Sequence, residues 1–388
     1  MIAFVYVLLH FIAAVSLFYF CNLIAKGDKK KYWSYAIFPM LIFTFVEGLR
    51  WGRGIDWNHY YYEFLYFKNG VQTDFEPLFS LIWGFFAKVG LPYWSVVSFS
   101  SLLFIFSIFY LFERFRVYLP IAVPFYVFFS FMSAENLIRW YTALSFLFIA
   151  FRLAYEKKYT KFLIAFFCGT MCHYAVVLFL PVYLFAVYRK HCLHYAIVIV
   201  LDIALIIAFD PQFLGRFAKI FDYAILWTDK FARYSADAEG WLDGTSQSAD
   251  TIRRLPILAL VTTIPLFIFT RYGYVRARKN KSWVPLYNFF TLGLFAKAIS
   301  SGLELASRYS YFFEPFFGLF CAHAIIYLKI KQKRPWEWVF LLIGVVYLAY
   351  KMYCFCRPTE IEKTMLFAWD MFVEPNAMIG YLKQLKTN

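Results

Sequence analysis

The feature that most constrains this chain is an alternation. Apolar stretches near the roughly 20 residues a membrane helix needs follow one another along the sequence, each closed by a short polar or basic segment. A chain that is 62% hydrophobic and 16% charged departs from soluble globular domains, which run near about 50% and 25%. An aromatic share of 24% excludes a disordered chain and suits lipid-facing helices with interfacial belts. The cysteine count is odd, and Cys21, Cys168, Cys172 and Cys321 lie in apolar runs, so these residues read as small packing groups and not as a disulfide framework.

The first run, Met1 to Ile24, is followed by Lys26, Lys29, Lys30 and Lys31. A secretory signal carries its charge before the apolar run. The reversed order predicts a retained helix with its N-terminus outside. Further runs extend from about Trp33 to Leu49, Trp94 to Phe112, Val117 to Ser133, Leu137 to Ala154, Phe162 to Met171, Tyr174 to Val187, Tyr195 to Phe209, Leu255 to Thr270, Val284 to Gly302, Tyr311 to Leu328 and Trp336 to Tyr353. Basic clusters separate them, at Arg114/Arg116, at Arg152 to Lys161, at Arg189/Lys190, from Arg271 to Lys281 and from Lys329 to Arg334.

Positive charge flanking membrane helices marks the cytoplasmic side. A single threading places every cluster there, provided the short run from Pro77 to Val89 does not cross. That run predicts a re-entrant or interfacial element, which needs its broken backbone buried in protein or lining a wet cavity. The expected fold is an all-α polytopic membrane protein of about twelve crossings plus this segment, with residues 1–388 forming one integral membrane domain. The formal charge of +15 is then a topology signal rather than a nucleic-acid footprint, and no nucleic-acid partner is expected.

The remaining polar residues fall on the outer side, in a loop at 48–76, a loop at 210–254 and three helix-turn tips. The first loop reads Gly48-Leu-Arg-Trp-Gly-Arg-Gly-Ile-Asp56 and continues through Tyr60 and Glu63 to Glu76. Asp56 or Asn58 is placed to cap a short helix reaching Lys68. Arg50 and Arg53 either aim at an anion or snorkel to lipid headgroups. The second loop opens with an amphipathic stripe from Phe213 to Ile225, which suits a helix lying in the interface. Its Asp237 and Glu239 are weak evidence for a metal, and none is expected. The tips carry Glu135 with Arg139, His173, and Glu304 with Arg308. Each Glu/Arg set is spaced four residues apart and so is placed to pair internally. The stretch between Lys161 and Arg189 is too long for one crossing and too short for two full ones, so a short hairpin turns near His173. His10 and His323 lie inside apolar helices with no evident partner.

Arginines with one histidine and a few carboxylates suit a phosphorylated, lipid-linked substrate, because guanidinium binds phosphate bidentately and stays charged. No Walker-type loop is present, so ATP is not the energy source and no cofactor is expected. An outer-face transferase then needs a donor that arrives activated, and a polyprenyl diphosphate sugar is one.

The stretch Gly48 to Asp56, followed by Tyr60, Glu76, Arg139 opening a helix, His173-Tyr-Ala and Ser307-Arg308-Tyr309, resembles the EpsG family of Wzy-like polysaccharide polymerases. The resemblance runs from about residue 40 to 330, in the order of elements. It implies polymerisation of oligosaccharide repeat units carried on undecaprenyl diphosphate, for O-antigen, capsule or exopolysaccharide. The implied setting is the periplasmic or extracellular side of a bacterial cytoplasmic membrane, with a fold similar to type-C glycosyltransferases. A polysaccharide chain-length regulator is an implied partner besides membrane lipid. Asp56 and His173 are the candidate catalytic residues, and Arg50, Arg53, Tyr60, Glu76, Glu135, Arg139 and Arg308 the candidate substrate-binding residues. One departure is the apolar Trp140 after Arg139, where a more polar residue is expected. The alternatives are an O-antigen ligase-like transferase, which shares the donor, and a lipid-linked oligosaccharide flippase. A flippase predicts two similar halves and more intramembrane charge than Lys88, Asp202, Lys297 and Lys351 supply.

Overall fold

The computed structural model describes residues 2–51, 54, 56–71, 73–208, 255–300, 308–331, 342 and 366–367. The first helices are α1 (Ile2–Lys26), α2 (Tyr32–Gly48), α3 (Trp57–Lys68), α4 (Pro77–Lys88), α5 (Tyr93–Phe112), α6 (Leu119–Asn136), α7 (Ile138–Tyr155), α8 (Tyr159–Cys172) and α9 (Phe179–Tyr188). They are followed by α10 (Tyr195–Ala208), α11 (Leu255–Lys279), α12 (Val284–Ser300) and α13 (Glu314–Lys331). The departure from all-helical structure among the described residues is a two-residue antiparallel pair, β1 (Arg50–Trp51) with β2 (Leu366–Phe367). The chain divides into two compact units, Met1–Val187 with Leu348–Asn388, and Tyr188–Tyr347. The segments at 210–254 and, but for Leu342, Trp336 to Tyr353, and residues Arg53, Glu304 and Lys351, lie outside the described residues.

Helices dominate because backbone N–H and C=O groups in hydrocarbon must be satisfied within the segment that carries them. Two described stretches, Leu8–Lys26 and Tyr93–Phe128, are long and apolar enough to cross a bilayer by length and composition. The second is two helices folded back on each other. Its chain turns through a 3-10 segment at Glu113–Tyr118, and the Phe104 and Tyr126 rings meet at 5.9 Å. Large apolar side chains are exposed along α1 (Phe11, Val15, Phe18), α2 (Phe38, Leu41, Phe45) and α8 (Leu163, Ile164, Phe167). Exposed apolar surface on this scale needs a lipid or protein cover.

In the first unit, consecutive long helices run antiparallel. Phe20 stacks on Phe38 at 5.3 Å across α1 and α2, and the Tyr32 hydroxyl donates to Phe109 O at 2.6 Å across α2 and α5. One end of the unit is basic. Arg116 Nη1 donates to Gly27 O at 2.7 Å. Arg152 donates to Tyr110 O at 2.9 Å and pairs with Glu113 at 3.1 Å. Glu156 collects Arg152, Arg114 and Lys158. The α7 terminus closes there with Lys157 at φ 61 and two return bonds, Lys157 N–H to Ala154 O and Lys158 N–H to Leu153 O, the geometry of a Schellman cap. Arg114, Arg116, Arg152, Lys157, Lys158 and the Lys29–Lys31 turn therefore share one end, as the threading from sequence requires.

The short helix α4 begins and ends at the opposite end. Its N-cap Glu76 pairs with Arg139 at the start of α7. The turn after it, with Gly90 at φ 81, delivers Tyr93 against Tyr61 and Phe64 of α3, at 5.4 and 5.7 Å. A 12-residue helix spans only about 18 Å. Entry and exit on the same end fit the expectation that this segment does not traverse the unit.

In the second unit the basic residues again share one end. The His194 ring, before α10, packs on Tyr274 near the end of α11 at 4.8 Å. Asn288 at the start of α12 donates to Arg189 O at 3.4 Å. Tyr327 of α13 meets Tyr272 at 4.8 Å. Inside this unit Asp202 of α10 is fully buried and interacts electrostatically with Lys297 of α12. His323 is buried and its ring lies 5.0 Å from Trp283.

Candidate functional site

The polar end of the first unit is organised by the junction between α6 and α7. Leu137, at φ −100 and ψ 53, is the single non-helical residue between them. The chain folds back on itself there. Tyr126 and Phe148, which an uninterrupted helix would hold about 33 Å apart, have ring centroids 6.0 Å apart. The residues flanking the break then carry the first loop. Glu135 O accepts from Arg50 Nη2 at 3.4 Å. Asn136 Oδ1 accepts from the Asp56 backbone N–H at 2.8 Å. The Arg139 backbone N–H donates to the Tyr60 hydroxyl at 3.3 Å. Gly54, at φ 90, lies so close that a Cβ would sit 2.8 Å from Glu135 O, so both its backbone conformation and its bareness are required.

Asp56 and Glu76 occupy equivalent positions, each the N-cap of a short helix, and neither side chain caps its helix. The expectation that Asp56 or Asn58 caps α3 is met in position only. The Asp56 carboxylate is left for other work, while its backbone is held by Asn136. Glu76, 5% exposed, pairs through Oε2 with Arg139 Nη1 at 3.2 Å. The Arg139 guanidinium also lies over the Phe75 ring at 5.1 Å, a cation–π contact. The internal Glu135–Arg139 pair expected from their spacing does not form. The break at Leu137 removes the helical register that would align them.

His173 follows α8 and starts a 3-10 turn (Tyr174–Leu178), with Nδ1 accepting from the Ala175 N–H at 3.4 Å. Its ring meets Trp140 edge-on at 4.9 Å. This contact accounts for the apolar residue after Arg139. Trp140 is buried and connects the α6/α7 junction to the turn that carries His173.

A second cluster lies under the loop. His10 of α1 hydrogen-bonds Glu47 of α2, Nε2 to Oε1, at 2.8 Å, and lies 3.7 Å from Glu135 Oε1. Arg50 Nη1 donates to Glu47 O at 2.6 Å and lies 3.5 Å from Glu47 Oε2. All four side chains are buried. The expectation that His10 lacks a partner is therefore corrected. Its partners come from helices far along the chain. The sequence signal that could have found them is an ionisable residue inside an apolar run, Glu47 within Trp33 to Leu49.

The structure thus brings Arg50, Asp56, Tyr60, Glu76, Glu135, Arg139 and His173 to one end of one unit, tied through the α6/α7 junction. Arg308 belongs to the second unit, half-buried in a helical segment at 308–310. Arg53 lies outside the described residues. Among the described cysteines, Cys21, Cys168, Cys172, Cys192 and Cys321 are free.

Predominantly helical described residues with lipid-suited apolar faces, and in the first unit basic helix ends together with carboxylates, arginines and a histidine at the other end, are those of a membrane protein with a polar, reaction-capable end. The EpsG family model matches residues 33–364, and the chain belongs to the EpsG family. Its role is accordingly that of a polysaccharide polymerase-like, glycosyltransferase-like membrane protein of polysaccharide biosynthesis. No curated protein and no solved structure matches the chain.

Proposed function

We propose that this protein polymerises oligosaccharide repeat units carried on undecaprenyl diphosphate, at the extracytoplasmic face of a bacterial cytoplasmic membrane. The observation that carries the reading is the docking of the 48–68 loop on the α6/α7 junction. It sets the Asp56 carboxylate and the Arg139 guanidinium on adjoining elements at the end opposite the basic clusters.

In this reaction a hydroxyl of one lipid-linked unit attacks the anomeric carbon of the growing chain. The bond from that carbon to the diphosphate oxygen breaks, and undecaprenyl diphosphate leaves with the electron pair. Asp56 takes the acceptor proton as general base, with His173 as the alternate base or a diphosphate ligand. Arg53 and Arg139 stabilise the charge that develops on the leaving diphosphate, an electrostatic contribution of the oxyanion-hole kind. Arg50 is committed to Glu47 and Glu135 O, so it positions the loop. Tyr60, Glu76 and Glu135 hold the arginines and the loop in place around the sugar-diphosphate.

Purified protein incubated with a synthetic lipid-linked repeat unit is expected to yield a ladder of products. Asp56→Asn, Arg53→Ala and Arg139→Ala are each expected to abolish or strongly reduce it at normal protein levels. Transfer of the chain to a lipid A-type acceptor with no ladder would reassign the protein as a ligase. Wild-type ladders in all three variants would overturn the site.

A further inference from the structure

The His10, Glu47 and Glu135 side chains converge from α1, α2 and α6 on one point, and all three are buried, at 8%, 3% and 2% exposure. One ligand atom from each lies within 4.8 Å of the others. A first-row dication bound at about 2.1 Å holds its ligands about 3.0 Å apart at octahedral angles and about 3.4 Å apart at tetrahedral angles. The observed separations from His10 Nε2, 2.8 Å to Glu47 Oε1 and 3.7 Å to Glu135 Oε1, bracket those values. Movements of less than about 1 Å would complete the chelate.

Two features beside the triad fit a bound ion. Arg50 engages the other oxygen of Glu47, Oε2, and the Glu135 carbonyl. It thereby fixes two of the ligand-bearing segments while Glu47 Oε1 stays turned toward His10, the orienting role that partners of ligating carboxylates play at metal centres. Adjoining Glu47 and Arg50 is a cavity of about 20 Å³, lined also by Ser100, Tyr141 and Thr142, which has room for about one water molecule. The Ser100 hydroxyl is buried there and, among the described residues, makes no hydrogen bond. A metal-bound water in this cavity would both fill the open coordination position and satisfy Ser100.

We infer that His10, Glu47 and Glu135 form a binding site for a divalent transition metal, with a water from the Ser100 cavity as a further ligand. An imidazole with two carboxylates selects manganese, iron or zinc over calcium and magnesium, which favour all-oxygen shells. The inference stands apart from the polymerase reading, since it concerns binding by residues to which that reading gives no chemical step.

The test uses the full chain purified in detergent, stripped with chelator and titrated with Mn2+, with free Mn2+ followed by electron paramagnetic resonance. Saturable uptake of about one Mn2+ per chain is expected, competed by Zn2+ and not by equimolar Mg2+. Glu47→Gln, Glu135→Gln and His10→Gln are each expected to weaken it by about tenfold or more. If the glutamine variants do not purify as monodisperse protein, Glu135→Asp is read instead, and weaker binding is again expected. Asp237→Asn with Glu239→Gln is expected to leave uptake unchanged. Failure of the wild-type chain to take up Mn2+ saturably would overturn the inference and leave the triad as a histidine held between two carboxylates. Unchanged binding in the triad variants, or loss of binding in the Asp237/Glu239 variant, would overturn it equally.

Discussion

Arg139 passes over Glu135, four residues before it, and pairs with Glu76, 63 residues before it, at 3.2 Å. The pair closes α4 against the start of α7, and its carboxylate is the more buried partner. Removing the arginine strands a buried charge, which costs about 3 kcal/mol. Arg139→Ala should therefore lower the thermal stability of the detergent-solubilised protein more than Arg139→Ala with Glu76→Ala does. Arg139→Lys keeps a charge for Glu76 but loses the planar fork. It should retain most of the stability while losing polymer formation, and a melting curve beside a product ladder separates the two effects.

Gly54 and Gly70 both have positive φ, 90 and 74, but they differ in what surrounds them. A Cβ on Gly70 meets nothing within 4 Å, whereas one on Gly54 meets the backbone of Glu135 and Asn136. Gly70→Ala should cost about 1 kcal/mol, the conformational penalty alone. Gly54→Ala adds a backbone clash and should cost at least about 2 kcal/mol. It should also abolish the ladder, because the loop carrying Asp56 can no longer dock. Equal melting temperatures for the two variants would show that the loop does not rest on the α6/α7 junction.

Sidedness is checked by cysteine accessibility in intact cells. Thr160 and Ser282 lie at the basic ends of the two units and are exposed, and Asp74 lies at the polar end of the first and is exposed. Positive charge is retained in the cytoplasm. Asp74→Cys and Ser246→Cys should react with a membrane-impermeant maleimide, while Thr160→Cys and Ser282→Cys should react only after permeabilisation. The opposite pattern would place the carboxylates and arginines in the cytoplasm and remove the lipid-linked donor from reach.

At the basic end, burial raises the Glu156 carboxyl pKa, but hydrogen bonds from Lys158 and Arg152 outweigh it and hold the group near about 2. Its folded pKa is depressed below the unfolded value, so it contributes stability at neutral pH that is lost as pH falls from the usual carboxylate range toward 2. Glu156→Gln should melt lower than the wild type at pH 7. The gap should narrow steadily between about pH 5 and pH 3 as the wild type loses what the variant never had.

Much of this was legible in the sequence because it depends on local pattern. The apolar runs located most of the described long helices to within a few residues, with Trp33 to Leu49 appearing as Tyr32–Gly48, but α11 continues past Thr270 through its basic residues to Lys279. The basic clusters share an end in each unit because charge at helix termini is written one residue at a time. Pairings across the fold were not legible. Nothing local to His10 announces Glu47 and Glu135, and nothing local to Arg139 says that Leu137 breaks the helix and hands the arginine to Glu76. The α-helical register that made Glu135–Arg139 a reasonable pair is a property of an unbroken helix. Leu137 carries no proline or glycine to mark the break.

The hydrogen bond from the Asp56 backbone N–H to Asn136 Oδ1, 2.8 Å, gives the last prediction, a test of positioning rather than of chemistry. Asn136 does not itself act on substrate in the proposed reaction. It fixes the first residue before α3, and with it the carboxylate assigned as base. Asn136→Ala leaves the Asp56 N–H without its acceptor and should cost about 1 kcal/mol in stability. Because a general base must sit within hydrogen-bond reach of the proton it takes, kcat should fall about tenfold or more, while KM for the lipid-linked unit, set mainly by the arginines, changes little. Asn136→Asp restores an acceptor at the same distance and should recover most of kcat. A purely structural role for Asn136 would lower the amount of active protein and leave kcat per active molecule unchanged, so the ratio of rate to titrated active sites distinguishes the two.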